Sequence, residues 1–266
     1  MNKKKCVFHT DLDNTIIYSY RHAIQPYEIW EGKRCVELHR GREISFITQE
    51  TFRLLQEVKK HILIVPTTTR TIDQYSRIDL GIGNFEYALV CNGGVLLVDG
   101  KEDKNWFQSS LELIKYSHEE LDKAMVFLEH EKRRNFELRF IMELFLFTKC
   151  DEPERVVDDL RSILDVTLVD VFYTGIKVYV VPKALNKGNA IKRFREYIGA
   201  EYVIAAGDSA FDITMLEAAD YGIATAELAG QYNFLENVIS LPSDRYFLSD
   251  SKLYSEAVLE KVLDLF

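Results

Sequence analysis

The constraint that most limits how this 266-residue chain can fold is a rhythm that appears, breaks off and returns. Near the start, short apolar runs alternate with helical patterns. Cys6 to His9 reads as a buried strand and Thr48 to Lys60 as a helix with Phe52, Leu54, Leu55 and Val58 on one face. His61 to Pro66 is a second strand, Ile72 to about Leu80 a helix, and Tyr87 to Cys91 a third strand. The alternation resumes with a helix over Lys187 to Ile198, a strand over Tyr202 to Ala206, a helix over Asp212 to Ala219 and a short strand over Gly222 to Ala224. Strands alternating with helices predict a parallel sheet covered on its faces, an α/β fold.

Between the two blocks the order becomes helix, strand, strand, helix, strand, strand. Ser117 to Arg134 is a long amphipathic helix, with Ser117 and Glu120 spaced as a capping box. Phe136 to Lys149 contains two strands, Pro153 to Leu164 a helix, and Thr167 to Tyr173 with Lys177 to Val181 a hairpin turning at Thr174-Gly175. This predicts an inserted domain over residues 95–181, an antiparallel sheet with helices on one face, dividing a core made of 1–94 and 182–266.

Four short motifs follow strands or open helices. Asp11-Leu12-Asp13-Asn14-Thr15 leaves the first strand with two carboxylates at i and i+2, which can approach one reaction centre from one loop. Alone, such a pair is weak, because turns are rich in Asp. Gly207-Asp208-Ser209-Ala210-Phe211-Asp212 adds two more carboxylates at another strand end; Asp208 or Ser209 could simply cap the next helix. Four gathered acids need a cation, and all-oxygen ligands suit Mg²⁺. Thr67-Thr68-Thr69-Arg70 offers hydroxyls and backbone N–H groups to a phosphate oxygen, or only a helix cap. Lys187-Gly188 opens a helix, where a lysine is usually solvated but beside the other motifs can balance phosphate charge.

The ordered set Asp-x-Asp-x-Thr, Thr before Arg, Lys-Gly and Gly-Asp-Ser-x-x-Asp, with an insert between the second and third, resembles the haloacid dehalogenase superfamily. The αββαββ insert resembles the cap of its type IIB (Cof-like, sucrose-phosphate-phosphatase-like) branch. The resemblance implies a Rossmann-like core with a C2B-type cap and a Mg²⁺-dependent phosphatase acting on a small phosphorylated metabolite, a sugar phosphate or nucleotide-like compound. It implies Asp11 as nucleophile and Asp13 as general acid/base. Asp208 would ligate Mg²⁺ with the Asp11 side chain and the Asp13 main-chain carbonyl, supported by Asp212. Thr68, with Thr69, Arg70 and Ser209 in the same motifs, would meet the phosphoryl group; Lys187 would steady that group and Asp11, and Asn92-Gly93 would face the substrate.

Three positions depart from the pattern: Asn14 and Thr69 stand where Gly is usual, and Phe211 where the branch has Asn. Two alternatives remain open at this level, a phosphomutase of the same superfamily and a low-turnover Mg²⁺- and phosphate-binding regulatory protein.

The formal net charge of −9 argues against nucleic acid or an anionic membrane as partner. The basic start Met1 to Lys5 precedes an apolar stretch broken by Asp11 and Asp13, unlike a signal peptide, and no uncharged run spans a bilayer. Cys6, Cys35, Cys91 and Cys150 form no C-x-x-C pair and read as reduced thiols, so a cytoplasmic location is expected. His9 reads as a packed strand residue. His22, Arg34, His39, Arg40 and Arg42 make the stretch from Tyr18 to Arg42 basic, a solvated hairpin or a flap for an anionic substrate. Arg139, Glu143 and Lys149 lie in the inserted sheet, with their face undecided.

Overall fold

The computed structural model describes residues 6–20, 33–242 and 252–265, and these divide into two compact units, 1–102 with 187–266 and 103–186. In the first unit five parallel strands lie in the order Val238–Leu241, Tyr221–Thr225, Tyr202–Gly207, Cys6–Thr10, Leu63–Pro66. Cys6–Thr10 takes the interior of the sheet because every residue of the run is buried, as a strand covered on both faces requires. On one face Phe8, Ile64 and Ile204 pack with Leu54, Leu55 and Val58 of the helix Gln49–His61 and with Val258, Leu259 and Val262 of the helix Tyr254–Asp264. On the other, Phe194 of the helix Lys187–Ile198 meets the His9 ring edge-on at 5.4 Å. Leu55 is fully buried, so truncating it to Ala would cost about 2–5 kcal/mol.

Local sequence sets the helix ends. Thr48 accepts a hydrogen bond from the Thr51 N–H and starts the Gln49–His61 helix, while Lys59, Lys60 and His61 sit in its last turn. The helix expected over Ile72 to Leu80 is shorter, Ile72–Tyr75, opened by a capping box between Thr71 and Gln74. It stops because the following residues pair elsewhere: the Asp79 N–H donates to the Val36 carbonyl and Ile78 bridges Glu37.

That partner is a hairpin, Arg34–His39 against Arg42–Ile47, turning at Arg40 and Gly41, both at positive φ. Tyr87–Val90, Val95–Val98 and Lys101–Glu102 form a separate antiparallel sheet joined through the short turn Cys91–Gly93. Its pairing places residues 95–102 in the first unit, and residues 182–186 belong with the second.

The second unit has a four-stranded antiparallel sheet, ordered Val169–Thr174, Lys177–Pro182, Phe145–Lys149, Arg139–Ile141. Leu146, Val171, Val178 and Val180 pack against Leu121, Ala124 and Leu128 of the helix His118–His130 and Val156, Val157 and Leu160 of Pro153–Ile163. Period-2 and period-3.6 patterns thus share one core. An additional helix, Lys104–Leu113, precedes the αββαββ order. The capping box expected at Ser117 and Glu120 does not form. Ser117 is helical in backbone, its hydroxyl donates to the Leu168 carbonyl, and Glu120 instead accepts from Asp165 N–H and Lys123. Among the described residues no helix is long and apolar enough to cross a membrane.

Candidate active site

The Cys6–Thr10 strand runs directly into the Asp11–Thr15 turn, with the Asp11 N–H held by the Ala206 carbonyl of the neighbouring strand at 2.9 Å. Asn14 takes φ +60°, a left-handed conformation that Asn adopts more readily than most residues, so the usual Gly is not needed there. The Tyr202–Gly207 strand ends beside it and leads into Asp208. A Cβ at Gly207 would stand 2.3 Å from the Asp212 side chain, so only Gly lets that carboxylate tuck under the strand end. Gly188 is constrained in the same way, since a Cβ there would meet the Thr214 carbonyl at 2.3 Å.

Asp11, Asp208 and Asp212 are all buried, and one carboxylate oxygen of each lies within 4.8 Å of the others. Lys187, 1% exposed, bridges two of them: its ammonium donates to Asp11 Oδ1 at 2.5 Å and Asp212 Oδ1 at 2.6 Å. The second oxygen of Asp212 accepts from Asp208 N–H, Ser209 N–H and the Ser209 hydroxyl at 3.1, 2.9 and 2.8 Å. Asp212 therefore holds the lysine and the strand-end loop together. Thr15 Oγ1 donates to Asp208 Oδ1 at 3.3 Å.

Burial pushes the Asp11 carboxyl well up from its ordinary range. Lys187 pulls it back, and the charges of Asp212, Asp208 and Asp13 push it up again. Burial alone would lower the Lys187 ammonium, but Asp11 and Asp212 keep it raised and charged. Three buried carboxylates against one ammonium leave excess negative charge, and the donors are all oxygen. That donor set fits a hard divalent cation of the Mg²⁺ type.

The Asp13 carboxylate lies outside this cluster and turns to Arg70. The guanidinium grips it with two bonds, Nε to Oδ2 and Nη2 to Oδ1, both at 2.7 Å. Burial works against the Arg70 charge, but its bonds to Asp13 and Glu37 raise its pKa. Arg70 is thus committed to a carboxylate. Of the residues expected to touch phosphate, Thr68 is buried and its hydroxyl accepts the Arg70 N–H at 3.2 Å, while Thr69 is half-buried. The Ser209 hydroxyl is engaged by Asp212. The turn at Asn92 and Gly93 comes to the same place, because Asn92 N–H donates to the Thr68 carbonyl and Cys91 N–H to the Arg70 carbonyl.

Two contributors are absent from the motifs. Tyr254, on the C-terminal helix, donates to the carbonyls of Gly207 or Ile223 at 3.0 and 2.9 Å, pinning the strand that carries Asp208. Glu37, buried in the hairpin, accepts from Arg70 and Ser45 and forms an ion pair with Arg77 at 3.2 Å. Neither lies at the end of an apolar run in one of the four motifs, so no pattern marks them. His22 lies outside the described residues, and two of the other basic hairpin residues have partners within the protein. Arg34 lies over the Phe52 ring at 4.4 Å and His39 contacts Arg77 at 3.0 Å. His9 bonds Thr67 Oγ1 at 2.9 Å, and burial lowers its pKa to about 3, so it is neutral.

This geometry can be set beside known proteins. The haloacid dehalogenase-like hydrolase profile matches residues 104–229. A phosphoglycolate phosphatase of Methanosarcina acetivorans is 32% identical over 194 residues, covering 65% of this chain and 75% of that protein. The chain belongs to the haloacid dehalogenase-like hydrolases. A Methanopyrus kandleri phosphoglycolate phosphatase is 28% identical over 192 residues, covering 70% of this chain and 80% of its own length. The Synechocystis sucrose-phosphatase, solved with sucrose and phosphate, shares the fold with a TM-score of 0.59 at 17% identity, over 98% and 97% of the two chains. Within this family the chain is a phosphoric monoester hydrolase.

Proposed function

We propose that the protein is a Mg²⁺-dependent phosphatase that hydrolyses a small phosphorylated metabolite through an aspartyl phosphate on Asp11. The observation that carries this reading is the buried Lys187 ammonium joining Asp11 to Asp212 beside Asp208. It fixes one carboxylate oxygen of Asp11 and supplies positive charge where phosphoryl oxygens would gather. The phosphoglycolate phosphatase names of the sequence relatives and the sugar-phosphate substrate of the sucrose-phosphatase favour small, highly charged or hydroxylated esters. The 103–186 insert is proposed to serve as the cap that sets substrate choice.

In the first step an Asp11 oxygen attacks phosphorus, and the ester P–O bond breaks with its electrons going to the leaving oxygen. Asp13, acting as general acid, gives that oxygen a proton. In the second, Asp13 takes a proton from water, whose oxygen attacks phosphorus. The bond to Asp11 breaks and inorganic phosphate leaves. Asp11 and Asp208, with the Asp13 carbonyl, would hold Mg²⁺, which when bound neutralises charge on the transferring phosphoryl oxygens. Thr68 and the Asn92-Gly93 turn, which converge on one another, would receive the phosphoryl group.

The test is phosphate release from phosphoglycolate, sugar phosphates and nucleotides, with and without Mg²⁺, alongside Asp11→Asn. Release that needs Mg²⁺ and vanishes in the variant is expected. Activity surviving Asp11→Asn would overturn the mechanism, and turnover that requires a bisphosphate activator would instead support a phosphomutase.

A further inference from the structure

The hairpin Arg34–Ile47 contains a buried acid with no place in the four motifs. Glu37 has a side chain only 1% exposed, although it sits on an edge strand whose outer residues, Arg34, Leu38 and His39, are exposed. An irregular register between Cys35, Glu37 and Leu38 explains this. A bulge there places Val36 and Glu37 both inward and leaves Leu38 60% exposed. Bulges re-aim a side chain, and here the re-aimed group is a carboxylate set between two arginines.

Each oxygen of Glu37 has a partner. Oε2 accepts from Arg70 Nη2 at 3.0 Å and from the Ser45 hydroxyl at 2.8 Å, and Oε1 lies 3.2 Å from Arg77 Nη2. Arg70 Nη2 is the same nitrogen that donates to Asp13 Oδ1. Arg70 also donates through Nη1 to the Gln74 carbonyl at 3.3 Å. Its guanidinium plane is therefore fixed from the side facing the hairpin, and its free edge presents two parallel bonds to Asp13. A burial this complete, with three polar partners, is costly unless the geometry is held, and the Val36–Asp79 and Glu37–Ile78 backbone links hold it.

We propose that Glu37 is a positioning residue: through Arg70 it sets the resting place of the Asp13 carboxyl, so that this group swings from a defined point to the leaving oxygen. Asp13 needs such a guide because its side chain is half exposed and, unlike Asp11, is gripped by no buried lysine. This inference rests on the reading of Asp13 as general acid/base.

Leaving-group dependence separates that role from a structural one. An alkyl phosphate needs a proton delivered to its leaving oxygen, whereas p-nitrophenyl phosphate expels a stable phenolate without one. Glu37→Gln, nearly isosteric and still an acceptor, and Glu37→Ala should lower kcat for the alkyl ester, Ala more than Gln, by about ten- to a hundred-fold for Ala. KM should hold, and kcat for p-nitrophenyl phosphate should change far less. Asp13→Asn is the reference and should show the same selectivity more strongly, and adding Glu37→Gln to it should cost nothing further.

Equal losses on both esters, or no loss, in the Glu37 variants while Asp13→Asn remains selective would overturn the positioning role alone. An Asp13→Asn variant without leaving-group selectivity would overturn the acid/base reading and this inference with it.

Discussion

Asp11 and Asp13 leave one strand two residues apart, yet they stand in opposite surroundings. Asp11 is buried with Asp208 and Asp212, and its counter-charge is a lysine as buried as itself. Asp13 is half exposed and held by an arginine whose grip comes from both oxygens at once. The difference matches two chemical tasks. A nucleophile must stay in line with phosphorus, so immobility serves it. A proton carrier must reach first a leaving oxygen and then water, so a fixed starting point with room to move serves it better.

The comparison can be broken at several places. Removing the buried charge partner should have the largest effect. Lys187→Met leaves Asp11 and Asp212 without their ammonium and should destabilise the metal-free protein by about 3–5 kcal/mol. Thermal unfolding should show the loss, with part of it regained on adding Mg²⁺. Unchanged stability would mean the buried acids are already neutralised in another way.

Arg70→Lys should be milder. It keeps the charge but cannot form the paired bonds, so kcat should fall by about ten-fold with the fold intact. A loss of thermal stability as large as that from Lys187→Met would erase the distinction between the two settings.

At neutral pH the smallest effect concerns His9, on the same strand. Its pKa is near 3 folded and 6.5 unfolded, so the unfolded chain binds the proton that the folded chain refuses. Its contribution is complete above pH 6.5 and disappears as pH falls from there toward 3. At pH 5 the loss is about 2 kcal/mol. His9→Gln should flatten that part of the stability curve, measured by urea unfolding between pH 7 and 4.5; an unaltered slope would show that His9 is not the group responsible.

Much of this was legible in sequence because alternating strands and helices leave a period in the apolar residues. The parallel sheet and the αββαββ insert both follow from such patterns. The Asp11 and Asp208 loops were visible because acids collect at the ends of apolar runs. What stayed hidden depends on contacts between distant segments. Ser117 and Glu120 have capping-box spacing, but Leu168 and Asp165 claim their side chains. The helix from Ile72 ends early because Val36 and Glu37 take its continuation. Glu37 itself was hidden by its bulge, since simple alternation would place Val36 and Leu38 together and Glu37 on the opposite face. The pairing of Arg70 with Asp13 spans 57 positions and leaves no local mark.

The central claim is that Asp11 carries the phosphoryl group between the two steps. Acid-quenching the enzyme during turnover of a substrate found in the phosphate-release screen, then mapping its peptides by mass spectrometry, addresses it directly. The account predicts one added phosphoryl group on the peptide containing Asp11, accumulating in Asp13→Asn with an aryl ester and absent in Asp11→Asn. Steady turnover with no phosphorylated peptide in either protein, or a phosphoryl group on another residue, would contradict it.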